Sequence, residues 1–137
     1  MKSFIFFLLL IFILASCQSK PVTGETIVAE GGSYQNVTPV ELNTMLKNKD
    51  FVFVNVHTPF AGNIAGTDLS IPYDQITELA YLAQLPNDKN ARIVLYCRSG
   101  RMSELAAAEL VSLGYTSIWN LAGGMVEWEQ DGYELEE

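Results

Sequence analysis

The stretch IVLYCRSGRMS at residues 93–103 contains the pattern on which both the fold and the chemistry of this chain depend. A short apolar run ends at Cys97, a glycine and two arginines follow within four residues, and a helical pattern begins near Ser103. The order strand, tight loop, helix places a thiol where the strand stops. The N–H groups and partial positive charge of a helix start favour an anion, and Arg98 and Arg101 add two full charges. We therefore predict that Cys97 is a reactive thiolate, although an isolated cysteine after an apolar strand is more often a core residue.

Segments on either side of this stretch alternate between helical and strand patterns. In chain order we predict a helix opened by residues 38–42, a strand at 51–56, at most a short strand at 69–72, a helix at 73–85, a strand at 91–96, a helix at 103–114, a strand at 116–121 and a helix at 125–130. Apolar strands that alternate with helices predict one α/β domain, in which helices cover both faces of a mainly parallel sheet.

Two of the helices carry distinct local signals. Thr38 suits the N-cap of the first helix, Pro39 suits its first position, and Glu41 completes a capping box with Thr38. The apolar residues of the segment 73–85 recur at helical spacing and predict an inward face. That face consists of Ile76, Leu79, Ala80, Ala83 and, less regularly, Leu82.

The strand at 51–56 is followed by His57, and the strand at 91–96 is followed by Cys97. Sites in parallel sheets lie outside the carboxyl ends of the strands, so the two residues could share one mouth. His57 is the only histidine of the chain. It is either a strand-end residue hydrogen-bonded to a neighbouring loop or a part of the substrate site. With no second histidine and no ligand spacing around Cys97, we predict neither a metal nor a cofactor.

The amino-terminal residues have the pattern of a secretory signal. Lys2 precedes an unbroken apolar run at residues 4–14, which is shorter than the ~20 residues of a membrane-spanning helix. The following Leu14-Ala15-Ser16-Cys17 resembles the lipobox of bacterial lipoproteins, whose cysteine is lipidated and becomes the first residue of the mature chain. An ordinary secretory signal in which Cys17 is incidental is the alternative.

The lipobox divides the chain into a signal peptide over residues 1–16, a lipidated amino terminus and flexible tether over 17–32, and a domain over 33–137. The domain would then lie in the cell envelope, anchored to the membrane by its lipid and facing the periplasm or the cell exterior. The chain has two cysteines, so lipidation of Cys17 would leave Cys97 as the only free thiol and exclude a disulfide within the chain.

Charge limits the partners that this chain can have. Eight Lys and Arg residues stand against 16 Asp and Glu residues, which gives a net charge of −8 at pH 7. The loop after Cys97 is the only place where basic residues cluster. Nucleic acid is therefore not an expected partner, and attachment to an anionic membrane surface should rest on the lipid.

Three segments, in order and spacing, resemble the signatures of rhodanese-like sulfurtransferases. Residues 97–103 resemble the active loop of that family, and residues 121–128 (LAGGMVEW) resemble its Gly-Gly turn and Trp-bearing helix. Residues 54–59 (VNVHTP) resemble the strand end that commonly has the sequence Asp-Val-Arg-x-Pro, and residues 70–72 match a further landmark. The resemblance covers residues 37–133 and implies a three-layer rhodanese-like fold.

The resemblance also implies persulfide chemistry at Cys97. The thiolate would attack the outer sulfur of a small anionic donor such as thiosulfate, sulfite would leave, and cyanide or a thiol would then accept the sulfur. Backbone N–H groups of residues 98–102 would surround the persulfide and disperse its charge. The implied substrate-binding residues are Arg98, Ser99, Gly100, Arg101, Met102 and His57.

Four positions depart from the family pattern. Asn55 stands where the family commonly has Asp, and His57 where it commonly has Arg. Asn63 stands where a Gly-His-Ile-Pro-Gly segment has its His, and Met102 where many members have Arg, for which the neighbouring Arg101 could substitute. These changes bear on the choice of substrate more than on the fold or the thiol chemistry.

Two other functions fit part of the pattern. A phosphatase or arsenate reductase of the same fold would carry Cys-x5-Arg, but Ser103 occupies the position of that arginine. A non-enzymatic module that carries sulfur or binds a protein partner is the main alternative, because positions 55, 57 and 63 all differ from the family pattern.

Overall fold

The computed structural model describes residues 20–137. The predicted signal peptide at 1–16 and the predicted lipidation site Cys17 lie outside these residues. Within the described part, no helix is both long enough and apolar enough to cross a bilayer.

The described residues form a single six-stranded sheet with four helices. The strands are β1 (Glu25–Ala29), β2 (Gly32–Val37), β3 (Val52–Asn55), β4 (Leu69–Ser70), β5 (Ile93–Tyr96) and β6 (Ile118–Leu121). The helices are α1 (Pro39–Leu46), α2 (Leu79–Leu82), α3 (Arg101–Ser112) and α4 (Gly124–Gln130). The strand order is β1-β2-β6-β5-β3-β4, and only the β1–β2 pair is antiparallel. The predicted α/β fold with a mainly parallel sheet is therefore confirmed.

An apolar core lies on each face of the sheet, because successive residues of a strand point to opposite faces. In β5, Ile93 and Leu95 join the core beneath α3, whereas Val94 and Tyr96 join the core beneath α1 and α4. Both cores are assembled from residues that are almost fully buried. Helices thus cover both faces, which makes the three layers that the resemblance implies.

Helix α1 begins where its capping signal predicts. The N–H of Glu41 donates to Thr38 Oγ1 at 3.3 Å, and the N–H of Thr38 donates to Glu41 Oε2 at 2.8 Å. Pro39 is the first helical residue, and Leu42 is buried in the core between α1 and the sheet. An N-cap of this kind stabilises a helix by about 1 kcal/mol, and it fixes the chain just after β2.

Part of the predicted tether belongs to the sheet. Residues 25–29 form β1, which pairs with β2 along its whole length. The prediction of a flexible tether is therefore wrong for residues 25–32. Thr26, Ile27 and Val28 are β-branched and favour a strand, Gly31 supplies the positive φ of the turn, and Ile27 packs against the core beneath α3.

The helix predicted at 73–85 is reduced to one turn. Helix α2 covers only Leu79–Leu82, and residues before it form successive turns, with Gln75 N–H donating to Pro72 O and Glu78 N–H donating to Gln75 O. Ile76 is buried as predicted, but Leu79 is 86% exposed, and Ala80 and Ala83 are exposed as well. The predicted inward face is therefore wrong for Leu79, Ala80 and Ala83, since turns with a three-residue repeat do not keep a helical face, whereas Leu82 packs against the core as predicted.

Candidate active site

Cys97 lies between the end of β5 and the start of α3, as the strand–loop–helix pattern predicts. Its side chain is buried, with 1% of its surface exposed. The backbone N–H of Gly100 donates to Cys97 Sγ at 3.0 Å. Gly100 is the N-cap residue of α3 and has a φ of 101°, which only glycine adopts without strain. The loop thus bends tightly around the sulfur and delivers the chain directly into the helix.

Ser103 also contributes a side chain to the site, a role that the sequence pattern does not predict. Its hydroxyl lies 3.4 Å from Cys97 Sγ and 3.0 Å from the carbonyl oxygen of Gly100, and the residue is fully buried. The signal that could have identified it is its position in the first turn of α3, three residues after Gly100. A side chain at that position faces back toward the loop.

The loop is also held from the other side by α4. Met125 N–H donates to the carbonyl oxygen of Cys97, and Val126 N–H donates to that of Arg98, both at 2.9 Å. A Cβ atom on Gly124 would lie 2.4 Å from the Cys97 oxygen and 2.7 Å from the Arg98 oxygen. The Gly-Gly turn is therefore needed because α4 begins in direct contact with the backbone of the active loop.

The backbone N–H groups of the loop do not all contact Cys97 Sγ. Among the N–H groups of residues 98–102, only that of Gly100 donates to Cys97 Sγ. The N–H groups of Arg101 and Met102 lie in the first turn of α3 and have no acceptor within the helix. They are therefore free to bind an anion at the start of the helix. Met102 packs its side chain against the core and Ser99 is exposed, so Met102 presents its backbone to the loop.

Positive charge at the mouth comes from two exposed arginines, Arg98 and Arg101. Neither is among the ion pairs of residues 20–137, which are Lys49–Asp68 and Arg92–Asp50. Arg98 also lines a cavity of about 240 Å³ beside the loop. Both guanidinium groups are therefore available to an anionic substrate.

His57 lies beside the loop, but its side chain does not carry a permanent positive charge. Its backbone N–H donates to Asn55 Oδ1 at 3.0 Å, and its Nδ1 is buried without a hydrogen-bond partner in the described structure. Burial lowers the pKa of His57 below 6.5, and the positive charge of Arg98 lowers this pKa further. At neutral pH the imidazole is therefore uncharged, where the family pattern has a permanent cation.

Two departures from the family pattern contact each other below the mouth. Asn55 Nδ2 donates to Asn63 Oδ1 at 3.0 Å and to the carbonyl oxygen of Gly62 at 2.9 Å. The hydroxyl of Tyr96 donates to the same Asn63 oxygen at 3.2 Å. Asn55 and Asn63 thus tie the 62–64 loop to strands β3 and β5, and none of their hydrogen bonds involves Cys97.

Comparison with known proteins agrees with this geometry. The sequence profile of the rhodanese-like domain matches residues 38–131. A sulfurtransferase of Allochromatium vinosum is 33% identical over 89 residues, which are 64% of this chain and 79% of that protein. A tRNA uridine(34) hydroxylase of Erwinia tasmaniensis is 30% identical over 80% of this chain, and the chain spans only 35% of that protein's length.

Solved structures give the same result. A rhodanese-related protein of Thermoplasma volcanium superposes with a TM-score of 0.62 at 26% identity, over 74% of this chain and 97% of that one. The segment that the profile matches, residues 38–131, contains β3, β5, β6 and the loop around Cys97. Profile, superposition and loop geometry agree, and the chain therefore belongs to the rhodanese-like domain family.

Proposed function

We propose that this protein is a sulfurtransferase that moves a sulfane sulfur from a donor such as thiosulfate to a thiophilic acceptor through a persulfide on Cys97. The observation that carries the proposal is the setting of Cys97 Sγ, which accepts a hydrogen bond from the N–H of Gly100, the N-cap residue of α3, and lies near the hydroxyl of Ser103 in the first turn of that helix. This arrangement stabilises an anionic sulfur at the place where a second sulfur would bind.

In the first step the Cys97 thiolate attacks the outer sulfur of thiosulfate. The new Sγ–S bond forms as the S–S bond of thiosulfate breaks, and the electron pair leaves with sulfite. Arg98 and Arg101 attract the dianion and stabilise the departing sulfite. They also offset the net charge of −8, which would otherwise repel an anionic donor.

In the second step a nucleophile removes the outer sulfur. Cyanide or a thiolate attacks it, the Sγ–S bond breaks, and the electron pair returns to Cys97 as the thiolate. The hydroxyl of Ser103, 3.4 Å from Sγ, can donate to the thiolate that forms. No external oxidant or reductant is required in either step.

The alternatives fit this site less well. A phosphatase would need an arginine at position 103, and the residue there is a buried serine that bonds to Gly100 O and Cys97 Sγ. A tRNA substrate, suggested by the names of several relatives, is disfavoured by the acidic charge of this chain. A non-enzymatic sulfur carrier would load sulfur in the same way. Repeated transfer of sulfur to an acceptor therefore distinguishes an enzyme from a carrier.

Mass spectrometry of the intact protein tests the proposal. Incubation with thiosulfate should add one sulfur atom to the wild-type chain, and cyanide should remove it with release of thiocyanate over many turnovers. Cys97→Ser should show neither signal, while retaining the fold by circular dichroism. Loading without turnover would favour the carrier alternative, and activity in Cys97→Ser would contradict the choice of nucleophile.

We propose separately that Cys17 carries a lipid that anchors the protein in the cell envelope. The proposal rests on the apolar run at residues 4–14 and the lipobox-like Leu14-Ala15-Ser16-Cys17. Expression with a labelled fatty acid in a bacterial host should label the wild-type chain, and Cys17→Ser should remain unlabelled. An unlabelled wild-type chain would overturn the anchor without affecting the proposed activity.

A further inference from the structure

A groove of about 750 Å³ lies beside the active loop, between the 60–62 segment and residues 129–137. We call it the acidic groove. Its apolar surface comes from Phe60, Tyr133 and Leu135. Phe60 is 60% exposed, which is high for a large apolar side chain. A groove of this size is much larger than thiosulfate requires and is within the range of sites for larger ligands.

The acidic groove is continuous with the mouth of the site. Ala61, Glu129 and Leu135 line both the groove and the smaller cavity beside Arg98. Arg98 belongs to the loop that surrounds Cys97 Sγ. A ligand that lies in the groove can therefore extend to Arg98, the residue that follows Cys97.

The groove is also formed in advance. Tyr133 stacks on Trp128 with ring centroids 4.4 Å apart, and the indole N–H of Trp128 donates to the carbonyl oxygen of Glu134. Glu136 and Asn63 exchange two backbone hydrogen bonds of 2.7 and 2.8 Å. Because both walls are fixed, a ligand does not have to order them on binding.

The charge of the groove selects among possible ligands. Glu129, Glu134, Glu136 and Glu137 line it, all four are exposed, and none of them belongs to a salt bridge of residues 20–137. No lysine or arginine lines the groove itself. Four carboxylates would repel the anionic donor and attract a cationic ligand.

We propose that the acidic groove binds the acceptor, and that the acceptor is a basic protein or peptide segment that carries a cysteine next to an apolar residue. This inference rests on the proposed sulfurtransferase activity and names its acceptor class. The apolar residue would pack on Phe60 and Leu135, and lysine or arginine side chains would pair with the four carboxylates. The cysteine thiolate would then attack the outer sulfur, its own S–S bond would form, and Cys97 would leave as the thiolate.

Peptide acceptors of matched design test the proposal. Three peptides share a central Phe-Cys pair and differ only in their flanking residues, which are lysine, glutamine or glutamate. Protein loaded with thiosulfate is mixed with each peptide, and sulfur transfer is followed by mass. We expect kcat/KM for the lysine peptide to exceed that for the glutamine peptide about tenfold at low salt, and this advantage to shrink at high salt.

Two sets of substitutions locate the effect. Combining Glu129→Gln, Glu134→Gln and Glu136→Gln should remove the advantage of the lysine peptide by raising its KM. The control combines Glu30→Gln, Glu78→Gln and Glu109→Gln, which changes charge equally at exposed positions outside the groove. Because the comparison is made for the same peptides, differences in their thiol reactivity cancel.

Transfer to cyanide distinguishes a failure of the groove as the acceptor site from a failure of the proposed sulfurtransferase activity. Cyanide is too small to need the groove, so neither triple variant should lose transfer to cyanide, and the groove variant should transfer at least as fast as the wild type because it lacks carboxylates that repel anions. Two results would overturn the groove as the acceptor site while transfer to cyanide persists. One is an equal rate for all three peptides, and the other is an equal loss of the lysine peptide's advantage in both triple variants. Absence of sulfur loading and of transfer to cyanide would overturn the proposed function, and with it this inference.

Discussion

The environment of Cys97 is set by single atoms that come from three parts of the chain. Gly100 N–H comes from the loop, Ser103 Oγ from α3, and the amides that hold the loop carbonyls from α4. The loop sequence alone indicates the first of these. The contribution of Gly124 depends on its close approach to Cys97, which lies 27 positions earlier in the chain. A local sequence pattern cannot predict such a contact.

Gly124→Ala should damage both the fold and the activity. Its Cβ would lie 2.4 Å from the Cys97 oxygen, so the loop or α4 would have to move. We expect a loss of roughly 2–4 kcal/mol in the free energy of unfolding and at least a tenfold slower sulfur loading, measured by denaturation and by mass.

Gly114→Ala is the matched control for this change. Gly114 has a φ of 91°, and no atom lies within 4 Å of the Cβ position. It should therefore lose only the roughly 1–2 kcal/mol of backbone strain at positive φ and load sulfur normally. Equal loading rates for the two variants would show that α4 does not support the loop.

The titration of His57 should report its distance from Arg98. Burial is the larger cause of its lowered pKa, and the charge of Arg98 is the second. Arg98→Ala should raise this pKa toward 6.5 without reaching it, whereas Arg101→Ala should leave it unchanged. Because the chain has one histidine, a single imidazole signal followed by NMR against pH gives the answer. An unchanged pKa in Arg98→Ala would contradict the arrangement of the mouth.

The same shift makes stability depend on pH in a defined direction. The pKa of His57 is lower in the folded state than the value of 6.5 expected for the unfolded chain. The unfolded state therefore binds the proton more readily, and protonation favours unfolding. The wild-type chain should keep its full stability relative to His57→Gln above pH 6.5 and lose the difference as pH falls toward the folded-state pKa, as measured by denaturation at several pH values.

Among the structural elements, the loop before β4 is fixed by a polar network centred on Tyr96. Its hydroxyl accepts a hydrogen bond from Ile64 N–H at 3.0 Å, contacts Thr67 Oγ1 at 2.7 Å and donates to Asn63 Oδ1. Burial raises the pKa of Tyr96 above 10.0, although the hydrogen bonds with Thr67 and Ile64 oppose this effect. The hydroxyl therefore stays protonated and can donate to Asn63.

Removing this hydroxyl should cost more than removing that of another tyrosine. Tyr96→Phe leaves a buried N–H of Ile64 without its acceptor, which costs roughly 1–3 kcal/mol. Tyr81→Phe is the control, because the Tyr81 hydroxyl makes no hydrogen bond within the described structure, and it should change stability by less than ~0.5 kcal/mol. Urea denaturation of both variants measures the difference, and equal stabilities would contradict the network.

How far the elements follow from the sequence depends on how local their signals are. The capping box of α1 and the apolar strands β3 and β5 are local, and all three are where the sequence predicts them. The segment 73–85 has helical spacing, but Ile76 and Leu85 are buried by separate turns that leave Leu79 exposed. Strand β1 is short and followed by Gly31, so its pairing with β2 could only be found from the sheet.

The candidate site likewise has features with a local sequence signal and features that depend on the assembled fold. Cys97, Gly100 and the two arginines stand in one loop, so their sequence pattern predicts them. The uncharged state of His57 results from its burial and from Arg98, and the contact between Asn55 and Asn63 joins the end of β3 to the 62–64 loop. These features depend on how β3 and β5 lie next to each other, which is a property of the assembled sheet.

At the scale of the whole molecule, the sheet extends further toward the amino terminus than the predicted domain boundary at residue 33. Ile27 and Ala29 of β1 pack against the core beneath α3, while Val22 packs against the opposite core. A chain that begins at residue 32 would leave β2 as an exposed edge strand, paired only with β6, and such an edge promotes association between sheets.

A chain beginning at Gly32 should therefore be less stable than one beginning at Lys20. Loss of partly buried Ile27 and Ala29 contacts alone should cost roughly 1–2 kcal/mol, which lowers the melting temperature by about 5 °C or more for a domain of this size. Two point variants of the longer chain separate packing from length. Ile27→Thr should lose part of this stability, whereas Val28→Thr should not, because Val28 is 85% exposed on the other face of the same strand. Equal melting temperatures for the two chain lengths would mean that β1 is only a tether after all, and that the sheet is complete without it.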